Sequence, residues 1–157
     1  SVAAKKLKEI NPSTKIRIYK SRINENNIKS IIKNYEIIID GSDNFKTKFL
    51  INDYCIKFKK KLVTGAISKF DGHIFTFDFN DRKTASLKSF YQENEISDDS
   101  LNCEFEGVFG TTASIVGTAQ ANEALKMVMQ IGQNLKNQIL IIDLLNLNFR
   151  KVKFNKK

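Results

Sequence analysis

The sequence predicts an α/β fold, with a mixed, mostly parallel sheet flanked by helices. Three observations predict it. The apolar run Ile37-Ile38-Ile39 passes straight into Asp40-Gly41-Ser42-Asp43-Asn44-Phe45, where a helical pattern starts. A second apolar run, Leu62 to Ala66, follows that helix and completes a β-α-β alternation, the pattern of parallel strands joined through helices. The next run, Ile74 to Phe79, alternates apolar and polar residues after an Asp71-Gly72 pair, which reads as a hairpin added to the parallel part.

The elements follow in order. Residues 2–10 read as the end of an amphipathic helix, stopped at Asn11-Pro12-Ser13 because Pro cannot continue the hydrogen-bond ladder. Ile16, Ile18 and Tyr19 suggest a short strand. Asn24 to Lys33 predict a helix with Ile28, Ile31 and Ile32 turned inward. Ile37 to Asp40 predict a strand covered on both faces, because its apolar residues are consecutive. Asn44 to Lys59 predict a helix with Phe45, Phe49, Ile51 or Asn52, and Ile56 on its inner face and its lysines outside. The stretch from Asn80 to Glu106 is polar and lacks clear periodicity. Residues 109–131 predict the longest helix, with Gly110, Ala113, Gly117 and Ala121 as a small-residue face for close packing, and Gly132 as its C-cap. Ile139 to Asp143 and Leu147 to Val152 close the chain as two strands. The whole fits the second half of a Rossmann-like sheet, and residues 1–157 read as a single domain.

Composition narrows the classes of function. No apolar run approaches the ~18 residues of a membrane span, and the N-terminus lacks a signal-peptide layout. Two cysteines, Cys55 and Cys103, make no disulfide framework; a reducing, cytoplasmic setting is expected. The net charge is +9, but the excess is lysine spread along the chain without a basic cluster interleaved with aromatics. Nucleic acid is therefore not expected as a partner. No Gly-rich strand–turn–helix phosphate loop occurs.

The candidate chemistry lies at the end of the Ile37–Asp40 run. In open α/β sheets, ligands sit beyond the carboxyl ends of strands. A carboxylate held there can ligate Mg²⁺, a hard cation that arrives with phosphates. Asp43 is placed for that role, and it equally suits a helix N-cap, as does Ser42. Asp40 reads as structural, ending the strand and satisfying loop amides. Cys55, inside a helix, reads as core. His73 has no partner in view for acid–base work.

Asp40-Gly41-Ser42-Asp43-Asn44-Phe45 followed by Phe49-Leu50-Ile51-Asn52-Asp53 resembles the D-x-x-D-N-F…L-x-N-D segment of the ThiF/MoeB family, the ubiquitin-activating-type adenylyltransferases of sulfur-carrier proteins. Other pieces agree in order: Ala3-Ala4-Lys5 to Ile10-Asn11-Pro12, Leu62 to Ala66 with Asp71 to Ile74, and Asn102-Cys103 with Gly107 to Gly110, Gly117 to Gln120 and Glu123 to Lys126.

The resemblance covers nearly the whole chain, with the front, Gly-rich portion of the nucleotide fold absent from it; a fragment is expected, the C-terminal part of the domain. It implies ATP-dependent adenylylation of the C-terminal Gly of a ubiquitin-like sulfur carrier (ThiS/MoaD type), in thiamin, molybdopterin or tRNA thiolation, and a homodimer. It implies Asp43 for Mg²⁺ and ATP, Asn44 for the nucleotide, and Lys48, standing where relatives often have Arg, as a cation near phosphates or the carrier tail.

It implies Cys103 as the thiol of acyl or sulfur transfer, although Glu104 and Glu106 beside it oppose thiolate formation. Relatives often bind zinc through two Cys-x-x-Cys pairs. Here the first reads Ser86-Leu87-Lys88-Ser89 and the tail has no cysteine, so no zinc is expected. The isolated piece is expected to bind ATP poorly. The alternative is a non-catalytic scaffold or dimerisation relative that holds a ubiquitin-like partner.

Overall fold

The computed structural model describes residues 1–91 and 107–154. In chain order these form α1 (Val2–Ile10), α2 (Ile28–Ile32), β1 (Ile37–Asp40), α3 (Phe45–Lys57), β2 (Lys61–Ser68), β3 (Asp71–Asp78), a 3-10 turn (Leu87–Ser89), α4 (Gly110–Met129), β4 (Gln138–Asp143) and β5 (Asn148–Lys153). The strands make one sheet in the order β1-β2-β3-β4-β5. The Rossmann-like mixed sheet with flanking helices stands, but the expected parallel majority does not. β1 and β2 are parallel, whereas β2/β3, β3/β4 and β4/β5 are antiparallel.

The connections explain this. α3 carries the chain from the end of β1 back to the start of β2, as a parallel pair requires. The β2–β3 and β4–β5 links are tight turns, which join antiparallel neighbours. The link that contains α4 returns to the end of the sheet it left. α4 starts beside the β2–β3 hairpin, where Thr112 Oγ1 donates to the Lys69 carbonyl, and after it Lys136 bridges to Thr76 near the end of β3.

Helices cover both faces. On one, α2 and α3 bury Ile28, Ile32, Phe49 and Cys55 against Leu62, Phe75 and Phe77. On the other, α4 lays Val116 and Ala124 on Val63, Ile74 and Ile142. The face that α4 buries runs Thr112, Val116, Gln120, Glu123 and Ala124. The predicted small-residue face points the other way: Gly110, Ala113, Gly117 and Ala121 are exposed. Close approach is achieved by glycines in the strands instead. A Cβ on Gly72 would collide with Val116 Cγ2, and one on Gly65 would lie 2.9 Å from Gln120 Cδ.

That need also explains a displaced turn. Ser68 pairs with Asp71 and Ile67 with Gly72, so the hairpin turns at Lys69-Phe70, with Lys69 at φ 45°. Asp71-Gly72 belongs to β3. Other boundaries shift for local reasons. Asn24 and Asn27 accept neighbouring amides in side-chain turns, so α2 starts at Ile28. Gln130, not Gly132, is the left-handed cap of α4. Leu147 takes φ 52° and closes a turn, leaving β5 to start at Asn148.

Ile16–Tyr19 forms no strand: the described sheet offers it no partner, and Ile18 and Tyr19 stay exposed. β1 is not covered as expected either. It pairs only with β2 among the described residues, and Ile39 is 53% exposed beside the open edge. In α3 the expected inner residues Phe49, Ile51 and Asn52 are buried, and the stripe departs from the expected one at three positions. Lys48 and Cys55 are buried, whereas Ile56 is exposed. No described helix is long and apolar enough to cross a membrane.

Candidate active site

The loop from Asp40 to Asn44 joins β1 to α3 at the carboxyl end of the parallel strand pair. Asp40 is 2% exposed, yet both of its carboxylate oxygens are engaged. Oδ1 accepts from Ser42 N at 2.8 Å and from Ser42 Oγ at 2.6 Å. Oδ2 accepts from Thr64 Oγ1 at 2.6 Å and from Lys48 Nζ at 3.2 Å. The Asp40 backbone carbonyl accepts from Gln120 Nε2 at 2.8 Å. Lys48 Nζ also donates to the Gly65 carbonyl at 2.5 Å. A buried charge is costly unless paired and hydrogen-bonded. Here the paired ammonium and the fixed donors meet that condition. The structural reading of Asp40 agrees with this: it bends the chain by binding the Ser42 amide and ties the bend to β2, α3 and α4.

Asp43 and Asn44 lie outside this buried cluster. Asn44 is the N-cap of α3 and accepts from Thr47 N at 2.8 Å; neither Ser42 nor Asp43 caps the helix. Asn44 Nδ2 donates to Asp43 Oδ1 at 2.9 Å. That bond, chiefly, holds the exposed Asp43 carboxyl below the usual carboxylate range, with smaller help from the positive charges of Arg22 and Lys48. At neutral pH Asp43 is an exposed anion at the rim of the loop. Beside it a cleft of about 710 Å³ runs between residues 22–26 and the first turns of α3, reached by Arg22, Asn44, Lys46 and Thr47.

The resemblance implies Lys48 near phosphates. Its ammonium instead sits 4% exposed, engaged by Asp40 and Gly65. The sequence reasoning missed Gln120 and Thr64, which complete the cluster. No signal in the sequence marks Lys48 for burial, since residues 41–47 between it and Asp40 are mostly polar; for Gln120 there was only an amide in an apolar helix. The last residues of the Asn52-Asp53 motif are fasteners. Asn52 Oδ1 accepts from Leu87 N at 3.1 Å, and Asp53 accepts from Lys88 Nζ at 2.8 Å. Together they hold the 3-10 turn against α3.

Ser86 and Ser89, at the place of the first Cys-x-x-Cys pair, cap that turn reciprocally. Among the described residues no cluster of three His, Cys, Asp or Glu side chains could hold a metal ion. Cys55 is a core thiol, its pKa pushed up to about 12 by burial and, less, by Asp40. His73 Nδ1 meets Tyr91 OH at 2.6 Å, and burial holds the imidazole below its usual pKa. Cys103 lies outside the described residues.

Comparison with known proteins agrees with this architecture. The ThiF family model matches residues 1–157, and the chain belongs to the ThiF family. It is 37% identical over 153 residues to a probable molybdopterin-synthase adenylyltransferase of Pyropia yezoensis, covering 97% of this chain and 40% of that protein. It is 33% identical over 154 residues to the sulfur carrier protein adenylyltransferase of Thermus thermophilus, covering 96% of this chain and 57% of that one. The chain thus spans about half or less of the curated relatives it matches. In fold it is similar to E. coli MccB crystallised with ATP, with a TM-score of 0.77 at 12% identity, covering 99% of this chain and 48% of that one.

Proposed function

We propose that this chain is the carboxyl-side part of an adenylyltransferase that uses ATP to activate the C-terminal Gly of a ubiquitin-like sulfur carrier. The observation that carries the reading is Asp43: an ionised, exposed carboxylate on a loop whose root is locked into the sheet. The names of the relatives, adenylyltransferases of molybdopterin synthase and of a sulfur carrier, supply the substrate class. In the reaction a carboxylate oxygen of the carrier forms a bond to the α-phosphorus of ATP. The bond from that phosphorus to the bridging oxygen breaks, and pyrophosphate leaves with the electron pair.

The residues fit Mg²⁺ and a triphosphate. Asp43 supplies a hard oxygen ligand, Asn44 a donor–acceptor side chain beside it, and the adjoining cleft carries the cations Arg22 and Lys46 together with the carboxylates Glu25 and Asp53. Mg²⁺, when bound, neutralises phosphate charge and orients the leaving group. Lys48 enters the proposal as a positioning cation and not as a phosphate contact. The open edge of β1 supports a phosphate cradle contributed by further strand pairing there.

Cys103 is proposed as the thiol that takes the activated acyl group or relays sulfur. Zinc is left out of the proposal because the Ser86 and Ser89 hydroxyls do not replace thiolates. A cytoplasmic setting and a homodimer complete it; the exposed Ile115, Leu125 and Val128 of α4 support pairing with a second copy.

The test is ATP–pyrophosphate exchange by the full-length protein, dependent on a carrier ending in Gly-Gly. Asp43→Asn should lower exchange by about 10²–10³-fold, the usual cost of losing one charge-stabilising group. Exchange insensitive to that change, or absent with every such carrier, refutes the reading.

A further inference from the structure

We infer that Gly65, Gln120 and Lys48 form a brace that sets the position of the Asp43–Asn44 loop, acting as positioning residues for the adenylylation proposed above. The inference rests on that reading for its chemistry but not for its geometry. Asp43 itself has little to hold it: its side-chain hydrogen bond is to the adjacent Asn44. Its position is therefore inherited from where the loop leaves β1 and where it enters α3. The brace acts at both ends. Gln120 reaches from α4 to the Asp40 carbonyl at 2.8 Å, fixing the exit from the strand. Lys48, in the first turn of α3, ties the helix entrance to the Asp40 carboxylate at 3.2 Å and to the Gly65 carbonyl at 2.5 Å.

Gly65 is the keystone because it has no side chain. A Cβ there would lie 2.9 Å from both Cδ and Oε1 of Gln120 and 3.0 Å from Val116 Cγ1. Any larger residue must push Gln120 off the Asp40 carbonyl or shift α4. Packing alone gives no reason to bury an amide and an ammonium here, since apolar groups of similar volume would fill the space at lower desolvation cost. What a hydrophobic core would not supply is directional bonds that select one loop position. A binding constellation needs its groups held to within roughly 0.5 Å, and a displacement of about 1 Å costs about 10²-fold in rate.

The experiment compares Gly65→Ala, Gln120→Leu, Lys48→Met and Lys48→Arg in the full-length protein. Gly117→Ala is the control, changing the exposed face of the same helix, where a Cβ meets nothing within 4 Å among the described residues. All are assayed at a temperature where each is folded by its own unfolding curve. Two readings are taken: backbone hydrogen exchange at the Ser42 amide, and exchange kinetics with Mg²⁺–ATP and carrier varied separately.

Gly65→Ala, Gln120→Leu and Lys48→Met should lose at least about tenfold of Ser42 protection, and about tenfold or more in kcat/KM for Mg²⁺–ATP, with the carrier KM unchanged. Lys48→Arg should restore most of both, and Gly117→Ala should leave both near wild type. Wild-type Ser42 protection in Gly65→Ala and Gln120→Leu overturns the brace. So does an equal kinetic loss in Gly117→Ala. If the wild type catalyses no exchange, the adenylylation reading fails, while Ser42 protection still decides the brace.

Discussion

The Asp40–Lys48 pair makes a quantitative prediction about stability. Both partners are nearly fully buried, with side-chain exposures of 4% for Lys48 and 1% for Asp40. Removing one partner of such a pair costs about 3–5 kcal/mol, because the other charge is left uncompensated. Lys48→Met leaves Asp40 with the donors from Ser42 and Thr64, which places the cost at the lower end, about 3 kcal/mol. Asp40→Asn leaves the ammonium with the Gly65 carbonyl alone and should cost a similar amount.

The double variant removes both charges together. The thioether side chain introduced by Lys48→Met fills much of the lysine volume. The amide introduced by Asp40→Asn keeps its oxygen on the Ser42 donors and turns its NH2 to the Thr64 hydroxyl oxygen, which can accept. The double should therefore cost about as much as either single, and the expected coupling is about 3 kcal/mol. Urea unfolding of all four proteins measures it. With a slope of about 2 kcal/mol per M, each single variant should lower the midpoint by about 1.5 M at unchanged slope. Single effects that add in the double to within about 0.5 kcal/mol would show that the two groups do not depend on each other.

Two further outcomes follow from the same site. Asn44→Ala should cost α3 about 1 kcal/mol through its lost cap and release Asp43 toward the usual carboxylate pKa, which NMR titration of the carboxyl reads directly. The sign is fixed by the direction of the shift. A depressed carboxyl stabilises the fold above its unfolded pKa, about 3.9, and that contribution is lost as pH falls through the folded value. The acid sensitivity traceable to Asp43 should thus shrink in the variant, and an unmoved Asp43 titration would contradict the role given to the Asn44 amide. Cys55, with its pKa pushed up to about 12, should resist alkylation at pH 8 in the folded protein and label fully in denaturant. Peptide mass mapping that finds it modified in the native state would refute its burial.

Much of the fold was legible because much of it is local. The strand–turn–helix from Ile37 to Lys57 reads directly from an apolar run, a polar turn and a helical pattern, although its cap is Asn44 and not Ser42 or Asp43. Two misread features share one cause. Asp71-Gly72 carries turn chemistry, and Gly110, Gly117 and their neighbours carry helix-packing chemistry, but in each case glycine's lack of a side chain was assigned to the wrong need. Gly72 serves close approach by Val116, while a Cβ on Gly110 or Gly117 would meet nothing within 4 Å among the described residues. Which element approaches which is a tertiary fact, and no local pattern encodes it.

The site divides along the same line. Asp43 and Asn44 could be singled out in the sequence because polar residues at a strand end stand apart from the apolar run before them. Lys48 was misplaced because a lysine on an amphipathic helix is normally solvated; here the Asp40 carboxylate and the Gly65 carbonyl, from two other elements, meet its ammonium inside. Gln120 is 80 residues from Asp40 in sequence and has no spacing rule that links them. The motif names Asp43 and Asn44, the groups proposed to face the ligand, whereas the loop that carries them is rooted in buried polar partners scattered through the chain. On the brace proposed above, those partners should constrain substitution as the motif does: a Cβ on Gly65 would press on the Gln120 amide and Val116, while Gln120 and Lys48 supply donors to Asp40.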